Sequence, residues 1–160
     1  MAPRFETVRI GALSHDGVPR FDVRIVRAVD GAFHAVVGSA LGAPHASVEE
    51  ASRVADLPPG VRLDLRDGLS PRPGDVPCPT CAAPVAPLPR HPRALCAPCV
   101  LEATDDRGRV VHFHNASMSG GVRAAYEDGG AYASVTCWVR GVRCRAEEGR
   151  FGGVVVSPES

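Results

Sequence analysis

Two short cysteine pairs, Cys78-Pro79-Thr80-Cys81 and Cys96-Ala97-Pro98-Cys99, stand fourteen residues apart. Each is a C-x-x-C turn, which sets two sulfurs on one side of a tight bend. Two such bends facing each other close a tetrahedral shell, and the gap between them suits a structural zinc site. Pro77, Pro79 and Pro98 stiffen the bends, while Pro84, Pro87, Pro89 and Pro92 predict an irregular loop between them rather than a helix. With all four positions taken by protein sulfur, no place is left for water or substrate, so an ion held there serves architecture. The same all-sulfur shell suits a rubredoxin-like iron, and a C-x-x-C can also be redox-active; two pairs at this spacing speak against the redox reading.

Composition explains why such a staple is wanted. The chain has 160 residues and 44% apolar content, enough for one domain or two small ones, but only five Phe, two Tyr and one Trp. Its core must lean on Val, Ala and Leu, which bury less area per residue. A small, aromatic-poor core is the kind that a metal supports. All eighteen basic residues are arginine, which codon bias in a GC-rich genome accounts for, and eighteen acids balance them to a net charge of zero. Residues 1–67 carry eight Arg and nine acids, and residues 68–160 ten Arg and nine acids. A non-specific nucleic-acid binder needs a basic excess to release counterions, and neither part has one. No apolar run follows the first residues to mark a targeting segment, and residues 32–44, the longest apolar-leaning stretch, are too short to cross a bilayer. The expectation is a cytoplasmic protein with no membrane association, in a compartment where cysteines stay reduced.

Along the chain, residues 5–10 read as a strand, and Arg20 to Ile25 alternates, with Phe21, Val23 and Ile25 on one face and Arg20, Asp22 and Arg24 on the other. Asp16-Gly17 and Asp30-Gly31 are hairpin turns in waiting, so residues 5–37 predict a three-stranded meander. Ser47 and Glu50 fit a capping box that opens a helix with Val48, Ala51, Val54 and Ala55 on one face, ended by Pro58-Pro59-Gly60. Val61 to Arg66 alternates again. The predicted fold class is therefore α+β: a β-β-β-α-β unit over residues 1–67, a Pro/Gly linker over 68–77, and a metal-bearing, antiparallel β-rich part over 78–160. In that last part, residues 109–114, 122–126, 131–139, 142–147 and 151–156 read as strands. Asp128-Gly129-Gly130 reads as a turn, and Gly152-Gly153 as a bulge or close backbone approach.

Through Cys78, Cys81, Cys96 and Cys99 the chain resembles the zinc-ribbon family, over residues 76–101 only. Ribbons often carry glycine after the second cysteine of a knuckle; here Ala82 and Val100 stand in those places. The resemblance implies a metal and a local fold. It implies little about activity, because such ribbons serve nucleic-acid-binding, protein-binding and enzyme-accessory modules.

Other constellations point elsewhere. Pro77-Cys78-x-x-Cys81 matches half of the zinc-deaminase signature, but no upstream histidine is followed by the required H-x-E glutamate. His112 and His114 share a strand face and, with Cys137 and Cys144, have the residue types of a second metal shell; the bland alternative makes the two cysteines small hydrophobes on a hairpin turning at Arg140-Gly141. Cys137 with His112 or His114 and Asn115 also has the types for thiol catalysis. Arg140, Arg143, Arg145 and Arg150 lie near Trp138 and Phe151, a pattern able to stack on bases or grip phosphates. The leading expectation is a non-enzymatic zinc-binding protein with a structural four-cysteine site, acting as a macromolecular interaction module with a protein partner. A nucleic-acid-binding ribbon using Arg140, Arg143 and Arg145 is the runner-up. A small hydrolase centred on His112, His114 and Cys137 is the third reading.

Overall fold

The computed structural model describes residues 5–53, 59–67, 70–117, 120–149 and 153–159. In chain order its elements are β1 (Phe5–His15), β2 (Val18–Ala28), β3 (Phe33–Val37), β4 (Ala40–Leu41), α1 (Val48–Ala51), β5 (Val61–Asp67), β6 (Val76–Pro77), β7 (Pro84–Val85), α2 (Ala97–Val100), β8 (Val111–Ser117), β9 (Gly120–Tyr126), β10 (Ala131–Tyr132), β11 (Thr136–Val139), β12 (Val142–Glu148) and β13 (Val154–Pro158). The strands form a five-stranded sheet in the order β4-β3-β2-β1-β5, two three-stranded sheets, β10-β9-β8 and β11-β12-β13, and the hairpin β6-β7. All pairings are antiparallel.

Turn chemistry builds the first sheet. Asp16 and Gly17 both take positive φ, +50° and +78°, so a two-residue turn joins β1 to β2 with the twist a hairpin needs. Gly31, at φ +88°, helps turn β2 into β3. β5 then returns along the free edge of β1, with Leu13 opposite Leu63. Gly11, on β1, lies where the two backbones press closest: a Cβ there would stand 1.7 Å from the Asp64 carbonyl oxygen.

The α+β expectation is overturned: the fold is mostly β, and its two helices are single turns. The cap at Ser47 forms, its Oγ accepting from the Glu50 amide at 3.1 Å, but Glu50 reaches the Ala46 amide rather than that of Ser47. The helix stops at Ala51, where the Ser52 hydroxyl donates to the Val48 carbonyl. Only Ala51 is buried on this turn, and so little apolar surface cannot offset the cost of helix nucleation. Val54, Ala55 and Pro58 lie outside the described residues. In contrast, the central strands β1 and β2 gain partners on both sides and bury Ile10, Ala12, Val23, Ile25 and Val26.

The second half is a set of hairpins. Arg140 and Gly141, both at positive φ, turn β11 into β12. The strand expected over residues 131–139 is divided between two sheets. Ser134 Oγ accepts from the Thr136 amide and the Tyr132 hydroxyl donates to the Thr136 carbonyl, a local turn that sends β10 and β11 apart. Gly153, at φ +80°, sits where a Cβ would meet the Phe21 ring at 2.7 Å, a close backbone approach of the kind its sequence context suggests; Gly152 lies outside the described residues.

Packing crosses from the first sheet to the rest of the chain. Val26 and Val36 pack on Ala97 and Leu101, and Phe21 packs on Leu88, Ala94 and Val155. The main core gathers Cys78, Cys96 and Cys99 with Val111, Phe113, Cys137, Val139, Cys144 and Val156. Residues 76–77, expected in the linker, instead pair with residues 84–85 as β6 and β7. No helix among the described residues is long and apolar enough to cross a membrane.

Gly11→Ala should destabilise the protein by about 3 kcal/mol, because backbone rather than a flexible side chain would have to move. Urea unfolding of the variant checks this; a loss below about 0.5 kcal/mol, the range of an indifferent surface change, would contradict the contact.

Candidate metal centre

The two cysteine pairs are presented by different local structures. The first sits on the β6-β7 hairpin: the Cys78 amide donates to the Ala83 carbonyl and the Ala82 amide to the Cys78 carbonyl, each at 2.8 Å. The second is helical. Cys96 stands at the N-cap of α2 with extended backbone, Pro98 occupies the first turn, and Cys99 follows within the helix. Proline suits this place because the first helical amides have no partner inside the helix. Pro98, a stiffener of a bend on sequence grounds, thus also helps start a helical turn that sequence reasoning does not foresee.

These elements bring the four sulfurs within 4.8 Å of one another, close enough to hold one metal ion. The Sγ atoms of Cys81 and Cys96 are 3.6 Å apart. Sulfurs bound tetrahedrally to zinc lie about 3.8 Å apart, given bonds of about 2.3 Å; a disulfide would need about 2.05 Å. All six cysteines are free. Cys78, Cys96 and Cys99 are buried and Cys81 is half-buried. The Cys96 amide donates to the Cys78 sulfur at 3.3 Å, which ties one knuckle to the other and favours a thiolate there.

Without a cation such a cluster is electrostatically divided. Hydrogen bonds from Cys81, Cys96 and Cys99 drive the Cys78 thiol far down. Hydrogen bonds with Cys78 and then Cys81 push Cys96 and Cys99 up. Cys81 is raised by Cys78 and lowered by Cys96 and Cys99, and comes to about 7. A divalent ion among these four sulfurs would let all four ionise.

Among the described residues these cysteines are the one group of three or more His, Cys, Asp or Glu side chains with ligand atoms within reach of a single ion. Cys137 and Cys144 do meet, as direct partners across β11 and β12, both fully buried. Burial pushes their thiols up to about 12 and about 11. His112 and His114 do not join them. Val111 and Phe113 point into the core that holds the two thiols, and strand alternation turns the histidines to the opposite face. There His112 approaches Glu127 at 3.6 Å, and His114 is exposed. Asn115 is occupied elsewhere, exchanging hydrogen bonds with the backbone of Gly153. The arrangement supplies neither a second four-ligand shell nor a thiol beside a base.

The arginines are dispersed in role. Arg140 pairs with Glu102 at 2.9 Å, and Arg143 pairs with Glu159 at 2.6 Å while lying 5.9 Å from the Trp138 ring centre. Arg145, on the same face of β12 as Arg143, borders an open groove of about 690 Å³ that Arg123, Tyr132 and Thr136 also line. Arg150 and Phe151 lie outside the described residues.

Sequence reasoning missed two residues that matter here. Asp22 and Arg24 read as the polar face of a half-exposed strand, yet both are buried, at 3% and 1% exposure, and they contact the metal-bearing segment. The signal was present: opposite charges two apart on a strand flanked by Val23, Ile25 and Val26 can pair on one face. Comparison with known proteins finds no matching family model, no matching curated protein and no matching solved structure.

Ala82, the residue after the first knuckle, holds φ +65°, where a side chain is strained and glycine is not. Ala82→Gly should therefore stabilise the protein by about 0.5–1 kcal/mol, the strain relieved outweighing the added freedom of the unfolded chain. A urea midpoint that falls would show that the turn does not carry this strain.

Proposed function

We propose that the four cysteines hold one zinc ion as a structural centre, and that the protein is a non-enzymatic module whose surface recognises another protein. The observation that carries the first part is the convergence of four sulfurs, three of them buried, on one point in the main core. Sulfur-rich tetrahedral sites favour zinc, with iron as the other candidate for the same shell. A filled shell leaves no open position for substrate, so the ion supplies cross-linking rather than Lewis-acid chemistry. Such a site is worth on the order of 10 kcal/mol at neutral pH, comparable with the whole stability of a domain.

A protein partner is favoured over nucleic acid by charge. The net charge is zero, and two of the three arginines that would read phosphates are already paired with carboxylates. The groove beside Arg145 supports the nucleic-acid reading as second choice, since Arg123 and Arg145 both border it.

Purified protein should carry one zinc per chain by elemental analysis, and Cys96→Ser should abolish it and unfold the main core, seen as collapsed dispersion in proton spectra. Because each ligand must lose its proton to bind, metal affinity should fall as pH falls, which competition with a chelator at two pH values measures. Stoichiometric iron, or a native-like metal-free variant, would contradict the structural-zinc reading. Strong heparin retention that collapses with salt would move the choice of partner to nucleic acid.

A further inference from the structure

The buried pair Asp22–Arg24 touches both cysteine knuckles. Arg24 Nε donates to Asp22 Oδ2 at 2.9 Å and to Oδ1 at 3.2 Å. Asp22 Oδ2 also accepts the amide of Ala97, the residue after Cys96, at 2.7 Å. Arg24 Nη2 donates to the carbonyl of Pro84, three residues beyond Cys81, at 2.6 Å. One ion pair on β2 thus grips the second knuckle through a carboxylate and, through a guanidinium, the β7 strand of the hairpin that carries the first.

We propose that Asp22 and Arg24 are positioning residues for the metal centre: they hold the two knuckles at the separation an ion needs and so slow its loss. The proposal rests on the metal reading above. Two physical facts lead to it. First, a buried ion pair is seldom a net gain in stability over apolar side chains of similar size, so its presence needs another reason. Second, among the described residues both side-chain hydrogen bonds that leave the pair end on backbone of the cysteine-bearing segment, at Ala97 inside the second turn and at Pro84 three residues past the first, where outer-shell contacts can orient ligands. The Ala97 amide belongs to the first helical position, which has no acceptor within α2, so Asp22 fixes the angle at which α2 leaves Cys96. The charges are placed to matter as well. Arg24 lies in the field of Cys96 and Cys81, where a cation offsets the two negative charges left over when four thiolates bind a divalent ion.

The test compares zinc transfer from the full-length, zinc-loaded chain to an excess of chromophoric chelator. The double variant Asp22→Leu with Arg24→Met removes the pair but keeps the volume apolar, and Arg24→Lys keeps the charge without the forked donors. As a control, Arg9→Met removes an ion pair on the neighbouring strand with Asp67 and Glu49. The double variant should keep its near-ultraviolet dichroism yet release zinc about 10–100-fold faster, the span by which lost outer-shell partners weaken a metal site. Arg24→Lys should fall between it and the wild type, and Arg9→Met should match the wild type. A folded double variant that releases zinc at the wild-type rate overturns the proposal. If the double variant does not fold, Arg24→Lys decides: wild-type release overturns the clamp, and faster release with unchanged near-ultraviolet dichroism supports it. A wild-type chain that binds no metal overturns the centre itself, a failure distinct from that of the clamp.

Discussion

Four sulfurs meet within 4.8 Å in the largest core cluster of this chain, and the rest of the fold is arranged about that meeting. Thiols do not pack so closely for apolar reasons. A divalent ion placed among them would accept all four as thiolates at once. The surrounding core is rich in valine and poor in aromatic rings, so each residue contributes modest burial. An ion held there would contribute on the order of 10 kcal/mol.

The centre also connects parts of the chain distant in sequence. The first knuckle belongs to a hairpin, the second opens a helical turn, and Leu95, immediately before Cys96, donates its amide to Val156 on β13. On the other side, Asp22 binds the second turn at Ala97 and Arg24 binds Pro84 on β7, three residues past Cys81, both from β2. Ala97 and Leu101 fill the space over Val26 and Val36. The short cysteine-bearing segment therefore lies between the N-terminal sheet and the C-terminal strands, in contact with both.

Local rules made much of this readable from residues alone. Asp16-Gly17 turned the first hairpin because both positions reach positive φ cheaply, and Arg140-Gly141 turned the hairpin that sets Cys137 against Cys144. The cysteine spacing announced the convergence of four sulfurs. What local rules could not supply was tertiary decision. The cap at Ser47 was legible but not that its helix would end at Ala51, because length depends on what the helix can bury. A single run from residue 131 to 139 hid a turn made by Ser134 and Tyr132. Asp22 and Arg24 looked solvated because alternation assigns polar residues to water, and only the segment arriving some sixty to seventy-five residues later buries them. His112 and His114 carried ligand chemistry in type, but strand alternation directs them away from the thiols.

The central claim is that sulfur alone surrounds one ion for the sake of architecture. X-ray absorption at the zinc edge of freshly purified protein tests it most directly, since it counts ligand atoms by kind and distance. The account requires four sulfur neighbours at about 2.3 Å and no nitrogen or oxygen in the shell. A shell containing light atoms at about 2.0 Å, the distance of histidine or water ligands, would contradict it.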